Sequence, residues 1–112
     1  MMTNTNVDTI LLELRRGVLI LAVLSQLEHE EYGYSLLTRL AEGGLEIDQG
    51  TLYPLMRRLE AQGLLESSWR IEEARPRRYY KLNAQGRQAL DQLTEEWRRL
   101  GEVMEGMLAT GG

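Results

Sequence analysis

The chain has 112 residues and a formal net charge of −4, with 43% apolar and 27% charged residues. This length allows one domain with a modest core and is too short for two. No apolar run reaches the roughly 18 residues that a membrane-spanning helix needs, and the N-terminus lacks the basic and apolar segments of a secretion signal. Because the chain has no cysteine, disulfides and thiolate metal sites are excluded, and we expect a cytoplasmic protein.

Positive charge is concentrated in the middle of the chain. Residues 48–87 contain eight basic and five acidic residues, whereas the rest of the chain is strongly acidic. Contact with phosphate depends on the local patch of charge rather than on the total. The acidic total therefore does not exclude nucleic-acid binding by this central segment.

The N-terminal part of the chain predicts two helical stretches with a break at Gly17. Residues 1–6 are polar, and we expect residues 1–8 to be disordered. Asp8 or Thr9 is the expected N-cap of the helix, and Gly17 is expected to interrupt it. Residues 18–24 are apolar almost all round, which predicts a buried core helix.

Two further helices follow. The second opens at residues 32–34 and stops at the next pair of glycines. The third has Asp48 as its expected N-cap and Gly63 as its C′ residue. Pro54 lacks an N–H, so this helix either begins near Thr51 or bends at the proline, and the sequence leaves both open.

The next segment predicts a two-stranded hairpin. Apolar and polar residues alternate over residues 65–71, which predicts that Trp69 belongs to the hairpin core. Residues 72–77 are the expected turn and residues 78–82 the returning strand. Three helices followed by a hairpin are typical of a winged helix-turn-helix, an α+β fold that is mostly α, and we assign this domain to residues 9–83.

The third helix has two different faces. Apolar residues recur at helical spacing on one face and suit a small core, while glycine, tyrosine, threonine and arginine on the other suit an anionic partner. An ordinary surface helix with solvated arginines is the alternative for this segment alone. The basic hairpin turn that follows favours contact with double-stranded DNA. The predicted DNA-binding residues are Gly50, Thr51, Tyr53, Arg57, Arg58, Arg75, Arg77 and Arg78.

The last helix, residues 84–109, has Asn83 as its expected N-cap and carries the most regular apolar spacing in the chain. Its apolar residues repeat every three or four positions over about three heptads, as in an a/d seam. A seam of this length exceeds what a small three-helix core covers, so we expect a dimerisation helix that packs against a second copy; folding back on its own domain is the alternative. The predicted interface residues are Leu90, Leu93, Trp97, Leu100, Met104 and Met107.

The chain offers no set of side chains typical of catalysis. A single histidine and no cysteine, with no serine or aspartate at nucleophile or metal-ligand spacing, leave no catalytic constellation. We therefore expect that the protein is not an enzyme and uses no metal and no cofactor. We also expect no membrane among its partners.

Two motifs in the chain resemble the signature of PadR-type transcriptional regulators. They are residues 50–64, GTLYPLMRRLEAQGL, and residues 78–86, RYYKLNAQG. The first and second helices are similar as well, so the likeness covers roughly residues 14–108. The resemblance implies a homodimeric DNA-binding regulator, usually a repressor, which binds a palindromic operator and responds to a small molecule or to stress.

The single C-terminal helix looks like the short branch of this family, in which some members bind planar aromatic compounds between their terminal helices. By that similarity Trp97 is the candidate ligand-stacking residue, and plain interface packing is the alternative. A rival interpretation of the whole chain is a protein-interaction module. Such a module would keep the winged helix, bind a different chain with its last helix and not bind DNA.

Overall fold

The computed structural model describes residues 5–111, which form four helices and three strands. This is the predicted winged helix-turn-helix order with a long C-terminal helix, so the predicted fold class is confirmed. None of these helices has both the length and the apolar character that crossing a bilayer requires. The elements are α1 (Thr5–Ser25), β1 (Glu31–Tyr32), α2 (Gly33–Glu42), α3 (Gln49–Ala61), β2 (Leu65–Glu72), β3 (Arg75–Leu82) and α4 (Ala84–Gly111).

The core lies between the first three helices and the inner half of the hairpin. Each helix contributes apolar residues three or four positions apart, which is the spacing that keeps side chains on one face. Burying a leucine or methionine side chain contributes roughly 1.5–3 kcal/mol. The largest fully buried side chains are Val23, Leu24, Leu27, Leu36, Leu52, Met56 and Leu59.

The first helix differs from the prediction at two points. Residues 1–4 lie outside the described residues, whereas residues 5–8, which the sequence predicts as disordered, form the first turn of α1. Asp8 lies in that turn, so the prediction of Asp8 or Thr9 as the N-cap is wrong, but a negative charge there stabilises the positive end of the helix dipole. The helix also continues through Gly17 without interruption, because one glycine costs only about 1 kcal/mol relative to alanine.

The third helix begins with the predicted cap. Asp48 has extended backbone angles, and its Oδ1 accepts a hydrogen bond of 2.8 Å from the Thr51 N–H. The helix begins at Gln49 and keeps Pro54 in its interior. The helix therefore begins two residues before Thr51, and the proline lies within it.

The end of α3 fixes the direction in which the hairpin leaves. Gly63 has a φ of +84°, as expected of a C′ residue. The Leu64 N–H donates to the Leu59 carbonyl at 3.0 Å, and the Gly63 N–H donates to the Glu60 carbonyl at 2.9 Å. These two bonds form a Schellman motif, which ends the helix and turns the chain toward β2.

The hairpin turn is shorter than predicted. β2 and β3 pair antiparallel up to Glu72 opposite Arg75, so the turn consists of Glu73 and Ala74 alone and not of residues 72–77. Both turn residues have positive φ, 51° and 63°, as the central residues of type I′ turns do. The sequence does not signal this turn because glutamate and alanine rarely adopt positive φ.

Only the inner half of the hairpin reaches the core. Leu65, Tyr80 and Leu82 are buried, whereas Trp69 is 64% exposed and Ile71 is 80% exposed. The prediction that Trp69 belongs to the hairpin core is therefore wrong. Alternation along the strand correctly groups these residues on one face, but this end of the hairpin extends beyond the helices that could cover it.

The structure adds a strand that the sequence did not predict. β1 pairs antiparallel with β3, with Glu31 opposite Tyr80 and Tyr32 opposite Tyr79, and the strand order is β1-β3-β2. Two residues are too few to show a period of two. The consequence is that the start of α2 is joined directly to the hairpin.

The long helix α4 is anchored only at its beginning. Asn83 caps it, since its Oδ1 accepts a 2.8 Å hydrogen bond from the Gly86 N–H. The exposure of the predicted seam rises from 9% at Leu90 to 61% at Met107, and residues 95–110 are all exposed. The second half of α4 thus does not fold back on its own domain.

Gly86 gives a test of the packing between α4 and the end of α3. A Cβ on Gly86 would lie 2.1 Å from the Leu64 carbonyl oxygen, so the backbone of one segment would have to move. We expect Gly86→Ala to lower the free energy of unfolding by about 3 kcal/mol. Urea denaturation at a fixed protein concentration measures this change.

Gly106→Ala in the same helix is the matched control. A Cβ there would meet nothing within 4 Å, and alanine favours a helix over glycine. We expect the control to unfold at the same urea concentration as the wild type or at a higher one. Equal unfolding midpoints for the two variants would contradict the close packing at Gly86.

Candidate nucleic-acid interface

The third helix presents a polar surface on the side away from the core. Its caps and its buried leucines fix which residues point outward, and the division into two faces follows the predicted spacing. The outward residues are all exposed, and they include four of the five predicted DNA-binding residues on this helix. The exposed residues on this side are Gly50, Thr51, Pro54, Arg57 and Arg58.

Tyr53, the fifth predicted residue, is half-buried rather than exposed. Its ring lies on the start of α2, where a Cβ on Gly33 would approach Tyr53 Cε1 to 2.5 Å. Burial raises the pKa of Tyr53, and the neighbouring Tyr32 raises it further. The phenol therefore keeps its proton at neutral pH and remains a hydrogen-bond donor at the edge of the polar surface.

The first turn of α3 is already occupied by a carboxylate. The Thr51 N–H is used by Asp48, so this backbone donor is not available to an incoming anion. The exposed backbone of Gly50 and the hydroxyl of Thr51 are the remaining polar features there. Contact with phosphate at this helix thus depends on its side chains and on the backbone at Gly50.

A cleft of about 320 Å³ separates α3 from the hairpin. Aromatic and arginine side chains from five elements line it, and they include predicted residues from both the helix and the hairpin. The structure therefore brings together on one surface predicted DNA-binding residues that lie up to 25 positions apart in the sequence, from Tyr53 to Arg78. The lining includes Tyr34, Tyr53, Arg57, Trp69, Arg77, Arg78 and Tyr80.

Arg78 is half-buried and holds the hairpin to α3. Its Nη2 lies 2.9 Å from Glu60 Oε1, and its Nε donates to Ser67 Oγ at 3.1 Å. Ser67 Oγ in turn donates to the other carboxylate oxygen of Glu60. Arg78 would have to give up a half-buried partner in order to bind phosphate.

Arg77 is also engaged within the domain. Its Nη1 lies 3.6 Å from Glu72 Oε2, and its guanidinium lies 4.6 Å from the centre of the Tyr32 ring. Arg70, which the sequence did not single out, is paired with Glu30 in the loop before β1. The hairpin arginines are therefore mostly neutralised by carboxylates of the same domain.

Three of the predicted arginines have no such partner. Within residues 5–111, Arg57, Arg58 and Arg75 form no ion pair and are exposed. A free guanidinium offers its planar array of donors without first breaking another ion pair. These three are the cations best prepared for an anionic partner. In the same part of the chain, no group of three metal-ligating side chains occurs.

The chain matches a known family over most of its fold. Residues 20–92 match the family model described as the transcriptional regulator PadR-like family. This chain belongs to the PadR-like family. The resemblance of the two motifs is therefore confirmed, and the family consists of transcriptional regulators and not of enzymes.

Individual PadR-like relatives agree with the family match. A crystal structure of a PadR family transcriptional regulator from Eggerthella lenta DSM 2243 is 44% identical, with a TM-score of 0.85 and 94% of each chain covered. The transcriptional regulator Rv3488 of Mycobacterium tuberculosis is 38% identical over 97 residues, 86% of this chain and 88% of the relative. A Streptococcus transcriptional regulator is 31% identical with a TM-score of 0.76, covering 84% of this chain and 95% of the other.

Apart from the polar side of α3 and the hairpin, this PadR-like chain carries a long apolar surface. Leu90 is buried against its own domain, whereas Leu93, Leu100, Met104 and Met107 are exposed and Trp97 is 52% exposed. The first half of α1 adds exposed apolar side chains that the sequence analysis assigned to no surface. Their apolar character was the available signal, but periodicity alone does not tell which side of a helix stays exposed. These residues are Val7, Ile10, Leu11, Leu12 and Leu14.

Proposed function

We propose that this PadR-like regulator is a homodimeric repressor that binds a palindromic operator and releases it in response to a ligand or to stress. The observation that carries the proposal is the set of unpaired arginines on the exposed side of α3, beside the hairpin. Family membership supports DNA binding in general. The dimer, the operator symmetry and the response to an effector are our inferences.

In this proposal α3 lies in the major groove and the hairpin lies along the backbone. Arg57 would contact a phosphate or a base edge, and Tyr53 would donate a hydrogen bond to phosphate from the edge of the cleft. Arg75 is the free cation at the end of the hairpin, so it is the first candidate for the backbone contact there. Arg77 and Arg78 would contribute positive potential while they remain paired within the domain.

The homodimer is supported by the apolar surface of α4 and α1. Monomeric proteins rarely expose contiguous apolar patches larger than a few hundred Å². A second copy related by a two-fold axis would cover the exposed apolar residues of both helices. A two-fold dimer also matches an operator with two symmetric half-sites. The rival, an interaction module for a different chain, would cover the same surface but would have no salt-dependent affinity for DNA.

We further propose that a planar aromatic effector stacks on Trp97 at the dimer axis. The indole lies in the middle of the apolar row of α4 and is half exposed in one subunit. Such a ligand would regulate DNA binding only if it favoured one angle between the two DNA-reading units over another. Packing of the two indoles on each other without a ligand is the competing arrangement.

The DNA contact is tested by Arg57→Ala across a salt series. The probe is a duplex recovered with the wild-type protein from a library of genomic fragments. Each lost phosphate contact lowers the slope of log affinity against log salt by about 0.9, and a dimer loses two. We therefore expect the magnitude of the slope to be smaller by about 1.8 than in the wild type, with affinity measured by fluorescence anisotropy.

Arg98→Ala is the matched control for this measurement. It removes the same charge from an exposed position of α4 that lies beside Glu95 and away from α3. We expect its affinity and salt slope to equal those of the wild type. If Arg57→Ala also leaves both unchanged, α3 does not contact the duplex.

The dimer is tested by Met104→Glu. Met104 is exposed in the half of α4 that leaves its own domain, so a charge there costs the single subunit little, whereas it would be buried in the proposed interface. We expect the molar mass from light scattering to fall from two subunits to one. Gln92→Glu, which adds the same charge away from the seam, should stay dimeric. A wild-type protein of one subunit would refute the proposal.

The effector site is tested in a Trp69→Phe background, where Trp97 is the remaining tryptophan. The probe is 9-aminoacridine, a planar aromatic compound. We expect its titration to quench the indole fluorescence to saturation at about one probe per dimer, because stacking places the rings in contact. Trp97→Leu should abolish the change in probe anisotropy. Quenching that increases without saturation would contradict a stacking site.

A further inference from the structure

We propose that α1 forms a second phosphate-binding surface beside α3, which we call the α1 ridge. It consists of Arg15 and Arg16 of α1 together with Arg58 of α3. The inference rests on the proposed DNA binding and assigns a role to a helix that neither motif of the family resemblance includes. Its partner is the sugar-phosphate backbone of the strand on the side of α3 that faces away from the hairpin.

The ridge borders two clefts beside α1, of which the smaller lies between α1 and α3 and the larger between α1 and residues 44–51. The smaller, of about 270 Å³, is lined by both Arg16 and Arg58 and also by Pro54, an exposed residue of α3. The larger, of about 740 Å³, is lined by Arg15. Thr51 lines both clefts. Arg16 of α1 and Arg58, in the last turn of α3, therefore line the same cleft on the side of α3 that faces α1.

The charges of the ridge are not balanced within the domain. None of the three arginines forms an ion pair within the described residues, and all three are exposed. The smaller cleft has two guanidiniums and no carboxylate in its lining. Two like charges that share a cleft repel each other, and an anion between them relieves that repulsion. A phosphate group is an anion that arginine binds through two parallel hydrogen bonds.

Arg16 and Arg58 carry the inference more strongly than Arg15. The larger cleft is also lined by Glu46 and Asp48, which lower the positive potential around Arg15. The Asp48 carboxylate already caps α3, but its charge remains. The test therefore concentrates on the smaller cleft.

The geometry of a helix in the major groove explains why both sides of α3 need cations. Arg57 lines the cleft toward the hairpin, whereas its neighbour Arg58 lines the cleft toward α1. A helix with its side chains is roughly 10–12 Å across, and the major groove of B-DNA is about 12 Å wide. Both flanks of α3 would thus meet a phosphate backbone, with Arg57 and Arg75 toward one strand and the α1 ridge toward the other.

The experiment compares Arg16→Ala and Arg16→Ala/Arg58→Ala with the wild type between about 50 and 200 mM salt. The probes are a duplex recovered by selection and a scrambled duplex of the same length. We expect the salt slope to fall by about 1.8 for the single variant and about 3.6 for the double variant in a dimer. The affinity should fall by the same factor for both duplexes, because phosphate contacts carry no sequence information.

Two controls separate the possible outcomes. Arg16→Lys should keep most of the salt slope, because lysine also neutralises phosphate. An unchanged slope in Arg16→Ala, together with a reduced slope in Arg57→Ala, overturns the α1 ridge and leaves the proposed function standing. Unchanged slopes in both overturn the proposed function itself. Loss of the dimer in Arg16→Ala, seen by light scattering, would assign Arg16 to a contact between subunits and overturn the inference.

Discussion

The hydrogen-bonded group of Glu60, Ser67 and Arg78 determines how α3 and the hairpin, the two elements of the proposed interface, are arranged. It joins the last turn of α3 to both strands of the hairpin, with Arg78 held 2.9 Å from Glu60. Because these side chains are half-buried, the pair is less screened by water than a surface ion pair would be. It holds the hairpin against the last turn of α3. Arg78 of the second family motif therefore stabilises the fold. Within the described residues, Arg57 and Arg58 of α3 and Arg75 of the hairpin form no ion pair and remain for a partner.

Along α4 as well, the residues that stabilise the domain are different from those that stay exposed for a partner. The domain completes its core with Leu90 and needs nothing from the rest of the helix. Each exposed leucine or methionine beyond that point would contribute roughly 1.5–3 kcal/mol if it were fully buried, and the first half of α1 offers more such side chains. A single subunit thus leaves a large part of its apolar surface in water. This surface favours the proposed homodimer over a chain that acts alone.

Periodicity in the sequence predicted the helices, the hairpin and the face of α3 that points outward, because these depend on local spacing. It failed where tertiary contacts or rare backbone angles decide. β1 has two residues and no period, Glu73 and Ala74 adopt positive φ without a glycine, and alternation could not tell that Trp69 extends beyond the helices. The pairing of Arg78 with Glu60 joins residues 18 positions apart. No local pattern distinguishes such an arginine from Arg75.

The distribution of paired and free charges explains how a chain with a net charge of −4 is compatible with DNA. Glu30, Glu60 and Glu72 are held in ion pairs by hairpin arginines, so these carboxylates neutralise cations that also support the fold. The unpaired arginines nearest α3 belong to α3 itself and to the neighbouring turn of α1. The local potential at the proposed interface is therefore positive although the total is negative. Neutralising Glu60 would make the chain less acidic and would at the same time loosen the hairpin, so net charge alone is a poor guide to DNA affinity in this fold.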